Sequence, residues 1–265
     1  MKARILSTVG LWGAIIAVIL IFKNFGGVVL LTAITILAQL ELYAMLEAGG
    51  KARPMKILGV VLGAGVMMGS YFLPVSGAME VPAIALIILS LTLLQKPKIG
   101  ECFMPTMFGL VYLPFLLQFY GLMLAEWGSI FLPIWVIAVA KFSDVGGLLV
   151  GKKFGKTKLA PSISPGKTIE GAAGGVLASA LVGVILAVIF QKVCPIPMPI
   201  FKTAIVGGVI GCVAIVSDLL ESQLKRWAGV KDSGSIIPGI GGAFDLIDSL
   251  VLTGPIALIL FQYVF

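Results

Sequence analysis

Four aspartates, Asp144, Asp218, Asp245 and Asp248, lie at or just inside the ends of long apolar segments in a chain that is 59% hydrophobic. A carboxylate deep in hydrocarbon costs roughly 2.5–3.5 kcal/mol even on the lenient insertion scale. Several of them beside Lys and Arg imply a held ligand, and the chemistry is that of a divalent metal and a phosphate. On a helix, Asp218, Glu221, Ser222 and Lys225 are spaced i, i+3, i+4 and i+7 and share one face. Asp245 and Asp248 are i, i+3 on the last apolar segment, again one face. Carboxylates converging from two helices are the oxygen ligands that Mg²⁺ takes when it also binds substrate phosphates. Gly239, Gly241 and Gly242, just ahead of Asp245, allow close backbone approach to a ligand. The competing reading is structural ion pairing of Asp218 or Glu221 with Lys225 or Arg226, but Asp245 and Asp248 have no cation within a helical turn.

A second stretch, Ser164-Pro165-Gly166-Lys167-Thr168-Ile169-Glu170, offers hydroxyls, glycine-freed amides and a lysine near a helix start, a set suited to an anionic phosphate. Gly166-Lys167-Thr168 resembles the end of a P-loop. That motif needs a glycine where Pro161 stands and a preceding strand, and the sequence supplies neither. The alternative is a turn that caps the following helix, with Glu170 in its first turn.

The elements that must position these residues are membrane helices. A mean hydropathy of +1.13 and 12% charged residues in 265 exclude an ordinary soluble domain. A span needs about 20 apolar residues. Nine segments qualify, at about 5–22, 26–46, 57–75, 78–94, 103–124, 129–150, 170–191, 201–222 and 243–265. The expected fold is therefore all-α, a polytopic integral membrane protein of about nine transmembrane helices. Lys2 and Arg4 ahead of the first segment resemble a signal-peptide start, but bulky Phe22-Lys23-Asn24-Phe25 is no cleavage site, so a retained helix is expected. The chain has no histidine, which removes His-based triads, His-ligated zinc and imidazole proton shuttles. Cys102, Cys194 and Cys212 have no metal-ligand or redox spacing.

The net charge of +7 is sorted by side rather than gathered as a nucleic-acid surface, and no nucleic-acid partner is expected. With nine spans, one side receives fifteen Lys and Arg: Lys2 and Arg4; Lys51, Arg53 and Lys56; Lys96 and Lys98; Lys152, Lys153, Lys156, Lys158 and Lys167; Lys225, Arg226 and Lys231. The other receives Lys23, Lys192 and Lys202, three in all. Positive loops stay cytoplasmic. The N-terminus is thus expected in the cytoplasm, the C-terminus outside, and the acids with the basic loops at the cytoplasmic boundary of the inner membrane. Residues 1–128 read as scaffold helices, with Gly59-x-x-x-Gly63 and Gly65-x-x-x-Gly69 as packing motifs. Residues 129–265 read as helices and cytoplasmic loops that carry the chemistry.

Those motifs carry a family resemblance. The run S-D-x-x-E-S-x-x-K-R-x-x-x-x-K-D from Ser217 to Asp232, then P-G-x-G-G-x-x-D-x-x-D from Pro238 to Asp248, resembles the signature of phosphatidate cytidylyltransferases (CDP-diacylglycerol synthases). The stretches Asp144–Gly155 and Ser164–Gly171 resemble the same family's upstream motif. The resemblance implies CTP + phosphatidate → CDP-diacylglycerol + pyrophosphate. It implies Mg²⁺ held by Asp218, Asp245 and Asp248, with Asp144 a further ligand and room for a second cation. Lys167, Lys225 and Arg226 would neutralise phosphate charge beside Asp218 as the catalytic set, with Lys152 and Lys231 in support. Ser164, Thr168, Ser222, Gly241 and Gly242 would bind substrate. The implied partners are CTP, phosphatidic acid and membrane lipids, and a homodimer is compatible with the reading. Two positions depart from the pattern: Ile240 stands where the family has His, and Leu246 where it has Arg. The runner-up enzyme is a CTP-dependent polyprenol kinase, whose hydroxyl nucleophile would benefit from a base. A cation transporter or channel would instead place its acids near mid-bilayer.

Overall fold

The computed structural model describes residues 2–50, 52–73, 77, 79–94, 99–234 and 241–265, with residues 2–16 and 20 as backbone. Pro238, Gly239 and Ile240 of the glycine-rich run, and Lys51, Lys96 and Lys98 among the topology charges, lie outside the described residues.

The chain runs through α1 (Lys2–Ala48), α2 (Lys56–Phe72) and α3 (Glu80–Leu91), then α4 (Met104–Leu110) and α5 (Leu116–Trp127). After these come α6 (Phe131–Phe154), a hairpin of β1 (Lys158–Ala160) and β2 (Ser164–Thr168), α7 (Ile169–Ile189) and α8 (Ile200–Trp227). It closes with the short α9 (Ala243–Ile247) and α10 (Thr253–Val264). The chain is an all-α, multi-pass membrane protein. Five helical runs, Ile21–Ala48, Ile99–Trp127, Phe131–Phe154, Ile169–Ile189 and Ile200–Trp227, are long and apolar enough to cross a membrane. The apolar helices Lys56–Phe72, Glu80–Leu94 and Thr253–Val264 are shorter. Leu177, Leu181, Val188 and Ile189 on α7 are exposed, as a helix facing lipid allows.

Three local features depart from the sequence expectation. The first two expected segments join in α1, broken only where Lys23 takes φ 51°, a backbone state that costs a non-glycine residue about 1–2 kcal/mol. The Ser164–Thr168 stretch is a strand, antiparallel to Lys158–Ala160, where the sequence showed none. The last apolar segment is not one helix. It stops at Ile247, turns through residues 248–252 and resumes at Thr253, so Asp245 and Asp248 do not share a continuous helix. Asp248 sits at the break. Its carboxylate accepts from the Ser249 N–H and its carbonyl from the Ser217 hydroxyl, bonds that compete with helix continuation.

The chain divides into two compact units. The first comprises Met1–Gly128 and Lys225–Ile247. Within it, the fully buried Tyr43 donates its hydroxyl to the Thr106 carbonyl (3.0 Å) and accepts from Gln39 Nε2 (2.8 Å). A Cβ on Gly59 would strike Tyr43, and one on Gly63 would strike Gln39 and Pro114, so this glycine pair lets α2 close on its neighbours. Gly69 meets Val81, whereas Gly65 faces open space.

The second unit comprises Ser129–Leu224 and Asp248–Phe265. Here α6 and α7 meet along a glycine seam: a Cβ on Gly146 would overlap Ala178 and the Gly174 carbonyl, and one on Gly175 the Ser143 carbonyl. Two hydrogen bonds fasten the same helices, Ser179 Oγ to the Val139 carbonyl (2.9 Å) and Trp135 Nε1 to the Gly183 carbonyl (2.9 Å). Gly207 and Gly211 of α8 lie against Ser179 and Ala180 of α7 in the same way. Backbones this close leave little slack, so polar side chains at the helix ends hold fixed separations.

Candidate metal and phosphate site

In the second unit, α8 presents Asp218 and Glu221 from one face, and the turn after α9 presents Asp248. One carboxylate oxygen from each of these three residues lies within 4.8 Å of the others. Glu221 is fully buried, while Asp218 and Asp248 are partly exposed. The donors are all hard carboxylate oxygens, which fits a hard divalent cation. The turn is held against α8 by Ser217, whose hydroxyl donates to the Asp248 carbonyl and accepts from Leu252 N (3.4 Å).

Two lysines approach the same carboxylates. Lys141 of α6 donates to Asp248 Oδ1 at 2.9 Å, and Lys167 of β2 donates to Asp218 Oδ2. Asp144, one turn along α6 from Lys141, is near enough that Asp248, Asp218, Lys141 and Lys167 all act on its charge. A cavity of about 280 Å³ opens beside it, lined by Asp144, Ser164, Gly166, Lys167, Thr168 and Gly147 among others. Carboxylates able to bind a cation and ammonium groups able to bind phosphate thus occur together.

The hairpin is tied down at both ends. Thr168 is the N-cap of α7, its hydroxyl accepting from Gly171 N at 3.1 Å. Glu170 accepts from the backbone N–H of Lys156 (3.0 Å) and Thr157. The capping alternative therefore describes Thr168 and Glu170, although Thr168 lines the cavity together with Ser164 and Lys167. Ser222 Oγ lies 3.5 Å from Asp218 Oδ1, and Lys152 is exposed at the end of α6.

In the first unit, Asp245 has its own partners. Lys225 Nζ donates to its Oδ1 at 2.9 Å, and Gly242 N donates to its Oδ2 at 3.1 Å. Gly241 has φ +122°, a conformation in which glycine is the natural residue. Arg226 and Lys231 are exposed. The expectation that Asp245 lacks a cation holds only within its helical turn, because Lys225 reaches it from α8.

Three residues stand out that sequence reasoning did not assign to a site. Glu221 joins Asp218 and Asp248, and its i+3 spacing from Asp218 was the available signal. Lys141, a lone cation inside an apolar segment, pairs with Asp248. Glu41 of α1, in the half expected to be scaffold alone, is 5% exposed and accepts from Phe244 N and Ser233 Oγ.

Comparison with known proteins adds an independent line. The family model described as the cytidylyltransferase family matches residues 2–264. A phosphatidate cytidylyltransferase of Bacillus subtilis is 43% identical over 113 residues, 43% of this chain and 40% of that protein. One of Synechocystis is 46% identical over 114 residues, 43% of this chain and 37% of the other. One of Staphylococcus epidermidis is 36% identical over 187 residues, 67% and 66% of the two chains. The matched stretch is thus about two-fifths the length of the first two relatives.

Proposed function

The chain belongs to the cytidylyltransferase family, and from that premise we propose that it transfers the cytidylyl group of CTP to phosphatidic acid. The products are CDP-diacylglycerol and pyrophosphate, a step of phospholipid biosynthesis. The relatives named phosphatidate cytidylyltransferase support this substrate pair. The observation that carries it in this chain is the carboxylate group Asp218, Glu221 and Asp248 with Lys141 and Lys167 directly on it.

In this reaction an oxygen of the phosphatidate phosphate attacks the α-phosphorus of CTP. The bond from that phosphorus to the bridging oxygen of the β-phosphate breaks, and pyrophosphate leaves with the electron pair. The nucleophile is already ionised at neutral pH, so no general base is required, and a chain without histidine can perform the reaction. What remains is to bring two anions into line and to stabilise the leaving charge. Asp218, Glu221 and Asp248 would hold a divalent cation, Mg²⁺ in our reading, with Asp144 and Asp245 as further carboxylates. Bound there, the cation supplies positive charge to the phosphate oxygens. Lys167 can exchange Asp218 for a substrate phosphate, and Lys225 and Arg226 supply further positive charge. Ser164 and Ser222 supply hydroxyl donors.

The fifteen-to-three sorting of Lys and Arg supports nine spans in the inner membrane, a cytoplasmic N-terminus and a site at headgroup depth on the cytoplasmic side. CTP would then arrive from the cytosol and phosphatidate from the facing leaflet. Single cysteines at Lys156 and Lys192, in a cysteine-free background, should label from opposite sides; labelling from one side overturns the nine-span topology. The activity is tested with purified protein, CTP, phosphatidate and Mg²⁺. Pyrophosphate release that requires both substrates, with a CDP-lipid product, supports the proposal. CDP and a phosphorylated polyprenol formed when a polyprenol replaces phosphatidate, or no pyrophosphate release with phosphatidate, sinks it.

A further inference from the structure

Glu41 lies about two turns before the C-terminal end of a membrane-length helix, yet it is nearly inaccessible and holds residues about 200 positions away. Its Oε2 accepts the Phe244 N–H at 2.9 Å and the Ser233 hydroxyl at 3.2 Å. A Cβ on either Gly234 or Gly242 would collide with its carboxylate, so the backbone on both sides of the glycine-rich run is moulded around it. Gly242 is also the residue whose N–H holds Asp245 Oδ2. One carboxylate therefore fixes the residue before and the residue after Ala243, and with them the direction in which Asp245 leaves the chain. A buried carboxylate is retained at a cost unless its hydrogen bonds are made. Here the bonds made are those of Oε2 alone, to a segment that carries chemistry in our reading.

We propose that Glu41 is a positioning residue: it anchors Ser233, Gly234, Gly242 and Phe244 so that Asp245, held between Lys225 and Gly242, presents its carboxylate in a single orientation. This rests on the reading of Asp245 as a site carboxylate. It assigns to the first helical run a part in the reaction that its apolar sequence does not suggest.

The test compares Glu41→Gln, Glu41→Asp and Glu41→Leu, each in the full chain, by hydrogen exchange and steady-state kinetics. Glu41→Gln keeps the length and an oxygen acceptor for Phe244 N–H, and should keep exchange protection in 241–247 and turnover within a fewfold of the unaltered protein. Glu41→Asp stops about one bond, roughly 1.5 Å, short. It and Glu41→Leu should lose at least tenfold protection in 241–247, with no change in 169–189. In both, kcat should fall at least tenfold and the Mg²⁺ concentration for half-activation should rise, while KM for CTP moves little. Unchanged protection and kinetics in Glu41→Asp or Glu41→Leu overturn the proposal, as does a Glu41→Gln variant that keeps protection but loses turnover, since that would make the charge itself the function. If Glu41→Leu does not assemble, the Asp and Gln pair decides. If the unaltered protein makes no CDP-lipid, the activity reading fails, and the exchange measurement still tests the anchor.

Discussion

Asp218 and Asp248 of the second unit and Glu41 of the first are held in opposite ways. In the second unit Asp248 and Asp218 are answered by the ammonium groups of Lys141 and Lys167, and both partners of each pair keep some contact with solvent. In the first unit Glu41 is answered by a backbone N–H and a hydroxyl, with almost no exposure. Partners of the first kind can be exchanged, since a lysine can turn to a phosphate and a carboxylate to a cation without breaking the fold. Partners of the second kind cannot, because the N–H belongs to the chain that Glu41 holds. Partly exposed ion pairs contribute about 0–1 kcal/mol to stability, whereas stranding a buried N–H costs about 1–3 kcal/mol. On the proposed function, the difference separates acids placed for ligand exchange from an acid placed for shape.

That contrast breaks first at the carboxylate group. Asp218→Asn, Glu221→Gln and Asp248→Asn should each lower turnover by at least about a hundredfold, the scale of losing one charge-stabilising group in a site. Asp218→Asn and Asp248→Asn should leave assembly intact, with stability changed by about 1 kcal/mol or less. CDP-lipid formation and size-exclusion profiles measure the two effects. An Asp218 or Asp248 variant that misassembles would make its pair structural and erase the distinction. Normal turnover in any of the three removes that residue from the site.

The lysine side sharpens it. Lys167→Ala removes the partner of Asp218 and a wall of the cavity beside Asp144, and should cut kcat/KM for CTP by at least about tenfold, or about 1.4 kcal/mol. Lys51→Ala, read as a topology charge, should change it little. Equal, small effects would leave the Ser164–Thr168 strand as a helix cap alone.

How much of this was legible in the sequence depends on the range over which each interaction acts. The apolar segments and the shared face of Asp218 and Glu221 follow from local periodicity, and the helices Phe131–Phe154 and Ile200–Trp227 carry them as expected. The cap at Thr168 was also readable, because a cap is made within three residues. The break at Asp248 was not, since it depends on Ser217, 31 residues earlier. Lys141 reaches Asp248 across 107 positions and Glu41 reaches Phe244 across 203, and no spacing rule covers such distances. The Ser164–Thr168 strand escaped because five residues containing Pro165 and Gly166 have no strand propensity of their own and depend on a paired neighbour.

A smaller effect tests what fixes the second unit. Gly175→Ala would drive a methyl into the Ser143 carbonyl, a backbone atom that cannot turn aside, and should destabilise by about 1–3 kcal/mol. Gly166→Ala meets nothing within 4 Å and should leave thermal unfolding nearly unchanged. If both variants unfold like the unaltered protein, the glycine seam is not what holds Asp144 and Lys141 in place.

The smallest effect is expected at the two positions that depart from the family pattern. Leu246 follows Asp245 on a five-residue helix, so its side chain leaves the axis about 100° away from that carboxylate. Asp245 already has Lys225 at 2.9 Å and the Gly242 N–H at 3.1 Å, so its charge is answered without an arginine at 246. Ile240, outside the described residues, occupies a glycine-rich run where an imidazole could donate a hydrogen bond and an isoleucine can only pack. If Lys167, Lys225 and Arg226 meet the leaving charge as proposed, the unaltered chain should be active. The Ile240→His, Leu246→Arg double variant should then differ from it by less than about threefold, under about 0.7 kcal/mol in barrier. Activity that appears only in the double variant would show that the lysines do not suffice, and that the exchangeable partners in this chain are incomplete.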